Sequence, residues 1–379
     1  MIKTGRVMKY NLNTSNLHVG GGIQVAVSVI AELARLDDFP PNFSILASTE
    51  VDTNLCKAGD VPGEQAAYDV VDSHGLRQLL PSQARRFQGF VSVFTVFGPL
   101  YIWRAPFRNI VGFAQPWIIY PNNECYGMLS LVQRLKLRLK YWVQGHFFKR
   151  ADVLVVDLEH VKQGLIRELG IPPERIHVIH SCISSVYLDE SVWQQVDMPH
   201  TDGYLRLGFL GRNYLHKNTA IFPGIVRELE RSHGILARFF VTFTEEEWDD
   251  CAPEFRAVCI NVGPLDVVQC PRFYESLDAV VFPSLLETFS ATPFETLVMK
   301  KPLFASDRNF NRDICDSHAH YFDPLSPSDA AQAIANVFVE NGPDLKALQV
   351  AREHAIHFSS PEERAEKYLA LLMADKTAA

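Results

Sequence analysis

At 379 residues the chain is long enough for about two domains with a generous buried core, which excludes a small disulfide-stapled scaffold. Its 36 Lys and Arg against 44 Asp and Glu give a formal net charge of −8, and 47% hydrophobic with 21% charged residues is an ordinary globular composition. A net-negative chain has no global field for a polyanion, so no nucleic-acid partner is expected.

In chain order, the first segment, MIKTGRVMKYNLNTSNLHVGGG, lacks the apolar core of a secretory signal, and no later apolar run approaches the ~20 residues of a membrane span. The seven cysteines are scattered, odd in number and never spaced C-x-x-C, which fits a reducing compartment. A cytoplasmic protein is expected. RVMKYNL reads as a strand, and Gly20, Gly21 and Gly22 then end its loop and open an amphipathic helix. FSILAS, FVSVFTVF, RNIVGFA and ADVLVVD follow as further strands, with helical patterns between them.

Between the last two strands of this batch, Gln133 to Arg150 holds six basic and no acidic residues. Wound at about 100° per residue, Leu131, Leu135, Leu139, Trp142 and Val143 share a stripe expected to face the core. Arg134, Arg138 and Lys140 then flank Leu137, Tyr141 and Phe148 on the outer side. That mixture has the composition of a helix lying on anionic lipid at the inner-membrane surface, and a buried helix with a solvated basic face fits it equally.

From Ser181 to Gly203 the chain is polar and turn-rich, and reads as a linker. A second batch of strands follows: RLGFLG, ARFFVTF, AVCINVG, DAVVFPS and PLFAS. Strands alternating with helices predict an α/β protein with parallel sheets: an N-terminal domain over 1–190 and a second over 204–358, with a cleft between them. The last segment, 359–379, is expected as a helix capped by Ser360 with Pro361 at its first position, docked on its own domain or packed back on the N-terminal one.

The densest chemistry lies from Pro283 to Asp307. A strand end, a loop and a helix expected to start near Pro293 present free backbone N–H groups and a positive dipole end, which is a ready anion site. Glu287 and Glu295 lie eight residues apart beside it. Carboxylates repel an anion unless they bind hydroxyls, so the pair points to a ligand carrying both phosphate and polyol, such as a nucleotide sugar. Arg212 and Lys217 follow the strand RLGFLG, where an α/β sheet binds ligands, and a planar fork with a point charge suits a diphosphate.

These stretches together resemble the retaining glycosyltransferases of family 4, which have the GT-B fold of two Rossmann-like domains. The resemblance rests on the E-x7-E element, Glu287 and Glu295 within PSLLETFSATPFET, on Gly211, Arg212, Lys217 and Asn218, and on the HYFDP run containing Asp323. It implies that Arg212 and Lys217 neutralise the donor diphosphate, that Glu287 contacts the donor sugar, and that Glu295 holds the ribose hydroxyls. Backbone N–H groups at Phe289, Ser290 and Ala291 would meet phosphate oxygens, and the Gly21–Gly22 loop would close over the donor. Gln115 stands where many members carry a histidine and can bond a sugar hydroxyl without titrating. The base would be read by backbone near Val262 to Leu265, Gly263 among them.

The implied reaction moves a sugar from a nucleoside diphosphate sugar to a saccharide acceptor, a lipid-linked one if the basic helix lies on membrane, in surface polysaccharide synthesis such as lipopolysaccharide or capsule. No cofactor and no metal are expected. A catalytically silent nucleotide-sugar binder of the same fold is the alternative. A dinucleotide-dependent dehydrogenase is disfavoured because the glycine triplet is not G-x-G-x-x-G. Asp37-Asp38, Asp249-Asp250 and Asp157-x-Glu159 are not D-x-D, and Asp316, His318, His320, His354 and His357 show no third metal ligand by spacing.

Overall fold

The computed structural model describes residues 8–35, 42–59, 66–339 and 342–374. It divides into two compact units: 1–121, 130–181 and 359–379 form unit 1, and 122–129 with 182–358 form unit 2. Asp37 and Asp38 lie outside the described residues.

Unit 1 is built on a seven-stranded parallel sheet: β1 (Tyr10–Thr14), β2 (Phe43–Ala47), β3 (Ala67–Val70), β4 (Ser92–Thr95), β5 (Arg108–Gly112), β6 (Val153–Val156) and β7 (Ile176–Val178). Their order is β3-β2-β1-β4-β5-β6-β7, with Tyr10 paired to Phe43 on one side and to Ser92 on the other. Unit 2 has a six-stranded parallel sheet in the order β10-β9-β8-β11-β12-β13. Its strands are β8 (Leu205–Phe209), β9 (Ala237–Val241), β10 (Cys259–Asn261), β11 (Ala279–Phe282), β12 (Leu303–Ser306) and β13 (His320–Phe322). Central strands such as VLVV of β6 and AVVF of β11 are buried along their whole length, because helices cover both faces of a parallel sheet.

Three strands carry no sequence signal: β3, β7 and β13. Each is a sheet edge, where one side of the strand needs no apolar partner and short mixed runs such as AYDV suffice. The stretch 181–203 is more than a tether. From Cys182 on it belongs to unit 2: it forms two 3₁₀ turns, Ser185–Leu188 and Glu190–Val192, buries Tyr187, and Gln194 N donates to Val268 O at 2.9 Å.

The basic segment forms the helix Leu131–Phe148, opened by a reciprocal cap between Ser130 and Gln133. Its orientation corrects the sequence expectation. Leu131, Leu135, Leu139 and Trp142 are 80%, 71%, 60% and 71% exposed, so the stripe read as core-facing points outward. The inner side is carried by Tyr141 stacked on Trp117, and by Phe147 and Phe148 edge-on to Tyr101 and Phe113. Periodicity identifies an apolar stripe but not its sign when both sides hold large apolar groups.

The final helix, Pro361–Met373, belongs to unit 1 and packs on the helix Gly21–Arg35 and on β4, with Tyr368 edge-on to Phe94. Ser360 Oγ accepts from Glu363 N and Pro361 fills the first turn, as its sequence predicts. Arg364 is fully buried and donates to Ser28 Oγ at 2.7 Å. Its charge also acts on Asp157, whose carboxyl burial pushes up while Ser181 and Arg364 pull it down. Removing this cation would leave a buried carboxyl with one fewer partner. Arg364→Ala is expected to cost unit 1 about 3–5 kcal/mol, read from the denaturant midpoint of its unfolding transition, whereas Arg364→Lys should recover part of the loss.

Candidate functional site

In both units the order of strands reverses direction at one place, between β1 and β4 in unit 1 and between β8 and β11 in unit 2. At such a reversal point the carboxyl ends of the two flanking strands are where α/β sheets generally bind ligands. Most of the residues singled out from sequence fall on the loops after β8 and β11 and on the helix Ala291–Val298 that follows β11.

After β8 the chain turns at Gly211, whose N–H donates to Thr242 Oγ1 at 3.0 Å, and reaches the 3₁₀ turn Leu215–Lys217. Asn218 closes the turn in the left-handed region, φ 56°, which an asparagine tolerates better than most residues. Its side-chain amide donates to Pro283 O and Pro324 O, and Leu285 N donates back to His216 O at 2.8 Å. The two loops are thereby laced together and their side chains fixed in mutual register.

Lacing places Lys217 Nζ 2.6 Å from Glu287 Oε1, with the two side chains only 15% and 9% exposed. The ammonium also lies 5.0 Å from the centre of the Phe282 ring. His216 Nε2 sits 4.0 Å from the same carboxylate oxygen. Burial lowers its imidazole below the usual value, with Glu287 opposing, so His216 is neutral at neutral pH.

Arg212 shares the loop but has its own carboxylate: Nε donates to Glu247 Oε1 at 2.8 Å, with half the guanidinium side chain exposed. Glu247 also accepts from Asn213 N and from Thr244 N, the last as part of a reciprocal helix cap. Burial would raise the Glu247 carboxyl, but Arg212 and these N–H donors outweigh it and hold it below the ordinary range. The two cations of the sequence motif are thus separately paired, one between the loops after β8 and β11 and one toward the carboxyl end of β9.

Glu295 lies in the helix Ala291–Val298 and accepts from Tyr274 OH at 2.7 Å and from the hydroxyl of Tyr187. Burial pushes its carboxyl up, and the two tyrosine bonds and the nearby Lys217 charge draw it partly back. The helix begins at Ala291, two residues earlier than expected, because Ser290 is extended and Pro293 fits inside the first turn, where its missing N–H costs no bond. The amides at the start of this helix have no partner within it, and Phe289 packs its ring on Phe294.

Gly263 follows β10 at φ 80°, its N–H bonded to Asn261 Oδ1. Gly21, Gly22 and Gln115 belong to unit 1. The two glycines form the first turn of the helix Gly21–Arg35 after β1, and Gln115 stands at the cap of the short helix Pro116–Ile119 without capping it by its side chain.

Sequence reasoning missed Glu247, Tyr187 and Tyr274. The spacing of Thr244 and Glu247 is a capping-box signal that marks the helix but not the bond to Arg212. Tyr187 falls in the presumed linker. Among the described residues, no group of three or more His, Cys, Asp or Glu is placed to hold a metal. His354 Nε2 is bonded to Ile314 O and its ring lies tilted against His318, and His357 Nδ1 is bonded to Glu353 O. A polar hollow of about 350 Å³ at the ends of β12 and β13 is lined by Asp307, Asp323 and Asp329 against the single cation Arg308, a poor place for a diphosphate.

The raised Glu295 carboxyl carries a stability consequence. Below the ordinary glutamate range the group is protonated whether the chain is folded or not. As pH rises through that range the unfolded chain ionises first, so folding loses stability until the folded group ionises as well. Glu295→Gln is therefore expected to raise the melting temperature of unit 2 by about a few degrees at neutral pH, an advantage that disappears in acid. Thermal unfolding scans of both proteins across pH test this, and equal shifts at all pH values would refute it.

The profile of Glycosyltransferase Family 4 matches residues 63–185. No protein of curated function matches the sequence. Solved structures with the same fold include a glycosyltransferase from Rickettsia africae, 17% identical over 96% of this chain and 98% of its own, at a TM-score of 0.67. Anabaena Alr3699/HepE in complex with UDP-glucose is 13% identical over 96% and 100%, at 0.66. WaaG, a glycosyltransferase involved in lipopolysaccharide biosynthesis, is 11% identical over 96% and 100%, also at 0.66. Two parallel α/β units, with this likeness over 96% of the chain, give it the GT-B fold, and the family 4 profile matches it over residues 63–185.

Proposed function

We propose that this protein is a retaining, metal-independent hexosyltransferase that moves a sugar from a nucleoside diphosphate sugar to a saccharide acceptor in the assembly of a surface polysaccharide. The observation that carries the reading is the Lys217–Glu287 contact of 2.6 Å beside Glu295, on loops at the carboxyl ends of β8 and β11. Alr3699/HepE, which has the same fold, binds UDP-glucose, and WaaG acts in lipopolysaccharide biosynthesis, which support a nucleotide-sugar donor and a polysaccharide product.

The chemistry asks little acid or base of the protein. The bond from the anomeric carbon to the diphosphate oxygen breaks while the bond to the acceptor oxygen forms on the same face. The acceptor's proton passes to the departing phosphate. Negative charge grows on that phosphate, and a preorganised ammonium in a site shielded from water stabilises it far more than water would. Lys217 is such a group, with Glu287 holding it in place until a diphosphate takes over as partner.

Arg212 would add a second cation by exchanging Glu247 for phosphate, and the opening amides of the helix Ala291–Val298 would bond phosphate oxygens. Glu295, positioned by two tyrosines, has oxygen lone pairs for ribose hydroxyls. Backbone at Gly263 would face the base. Gly21, Gly22 and Gln115 would offer backbone and amide groups to sugar hydroxyls.

Lys217→Ala is expected to lower transfer or donor hydrolysis by about 10²-fold or more. Arg212→Ala should have a smaller effect, since its side chain is half exposed and water screens its charge. Product anomer determined by NMR and nucleoside diphosphate affinity by calorimetry complete the test. Inversion at the anomeric carbon, or a failure to bind any nucleoside diphosphate, would overturn the reading, and binding without turnover on any acceptor would mark a silent binder.

A further inference from the structure

The outward face of the helix Leu131–Phe148 belongs to no part of the donor site. Leu131, Val132, Leu135, Leu139 and Trp142 are 60–80% exposed on it. At about 100° per residue these five fall within an arc of roughly 100°, and the two nearest cations lie just beyond its ends, Arg138 on one side and Lys136 on the other. The inner ring contacts of Tyr141, Phe147 and Phe148 keep the opposite side fixed to unit 1, so the exposed arc cannot roll inward. Trp103, also mostly exposed, extends the arc at the helix's carboxyl end, where its ring meets Phe147 at 5.4 Å and the Arg150 guanidinium lies 5.1 Å above it.

A row of exposed aliphatic and indole groups edged by cations, with no acid between residues 133 and 150, matches one solvent structure. Apolar groups enter the acyl boundary while lysine and arginine reach back to phosphate headgroups. The charge of the chain is divided to suit this. Residues of unit 1 include 22 Lys and Arg against 18 Asp and Glu, a net +4, whereas unit 2 has 14 against 26, a net −12. A second copy of the helix is a poor partner, since a two-fold contact would bring cations against cations with no acid to pair them. No described helix is long and apolar enough to cross a membrane.

We infer that the outer face of Leu131–Phe148, with Trp103, docks unit 1 on the surface of an anionic phospholipid bilayer. The helix, about 27 Å long, lies in the plane of the interface with its leucines about 5–10 Å deep. The inference does not depend on the proposed reaction, and its test uses neither donor nor acceptor.

The full chain is sedimented with vesicles of phosphatidylcholine alone or mixed with phosphatidylglycerol, at low and high salt. Binding is expected only to the phosphatidylglycerol vesicles, with loss as salt screens the headgroups. Leu135→Glu with Leu139→Glu should weaken it at least about tenfold, and Lys136→Glu with Lys140→Glu by a comparable factor. All four positions are exposed, so circular dichroism and melting temperature should stay as in the parent. A blue shift of fluorescence on vesicle addition that is lost in Trp142→Phe would support the same orientation. Absence of binding to phosphatidylglycerol vesicles at low salt, binding that both double variants leave unchanged, or a dimer that Leu135→Glu dissociates in place of vesicle binding would each overturn it.

Discussion

A lysine and a glutamate taken almost wholly out of water at the carboxyl ends of two central strands are a costly pair. Desolvating both charges consumes much of what their attraction returns, and an apolar pair of similar volume would stabilise the fold at least as well. In the proposed reaction Lys217 and Glu287 act as a set position, one ammonium held where a charged ligand can claim it. Their contact in turn depends on the backbone: Asn218 bonded to Pro283 and Pro324, and Leu285 to His216, hold the loops after β8 and β11 in one arrangement. Glu295 is constrained similarly by the hydroxyls of Tyr187 and Tyr274, which stop a carboxylate on a helix from swinging into solvent.

Parallel sheets explain why such loops gather where they do. Every strand of a parallel sheet delivers its carboxyl end to the same edge, and where the winding reverses direction two neighbouring loops part. Both units use this geometry, at β1 and β4 and at β8 and β11. The scaffold beneath is apolar and buried on both faces, so side chains above it can be chosen for chemistry with little effect on the core. Arg212 illustrates the freedom: it is on the right loop, yet Glu247 draws it toward the carboxyl end of β9, so loop membership alone does not make two cations act together.

The division of charge between the units is a second constraint, and one of a different kind. A chain with net −8 is a weak candidate for any anionic surface when its charges are averaged. Averaged over unit 1 alone the sign reverses, and the cations of 133–150 sit beside exposed leucine and tryptophan. Screening over about 8 Å at physiological salt makes local charge the quantity an interface experiences.

Much of this was legible in the residues themselves. Continuous apolar runs such as VLVV and AVVF declare buried parallel strands, and a capped, proline-opened segment declares the final helix. Glu287, Glu295, Arg212 and Lys217 stand out because carboxylates beside an anion site, with cations on the loop after a strand, fit a ligand carrying both phosphate and polyol. Edge strands β3, β7 and β13 were illegible because an edge imposes no apolar pattern. Partners distant in sequence were equally hidden: Tyr187 and Tyr274 on Glu295, Glu247 on Arg212, and Arg364 acting on Asp157 are contacts that no local spacing encodes. The helix Leu131–Phe148 marks the boundary most plainly. Its sequence determined that it is helical, basic and apolar on more than one side. Only packing, through Trp117, Tyr101 and Phe113, decided which side faces water, because a period of 3.6 fixes relative angles around a helix and leaves their origin to its neighbours.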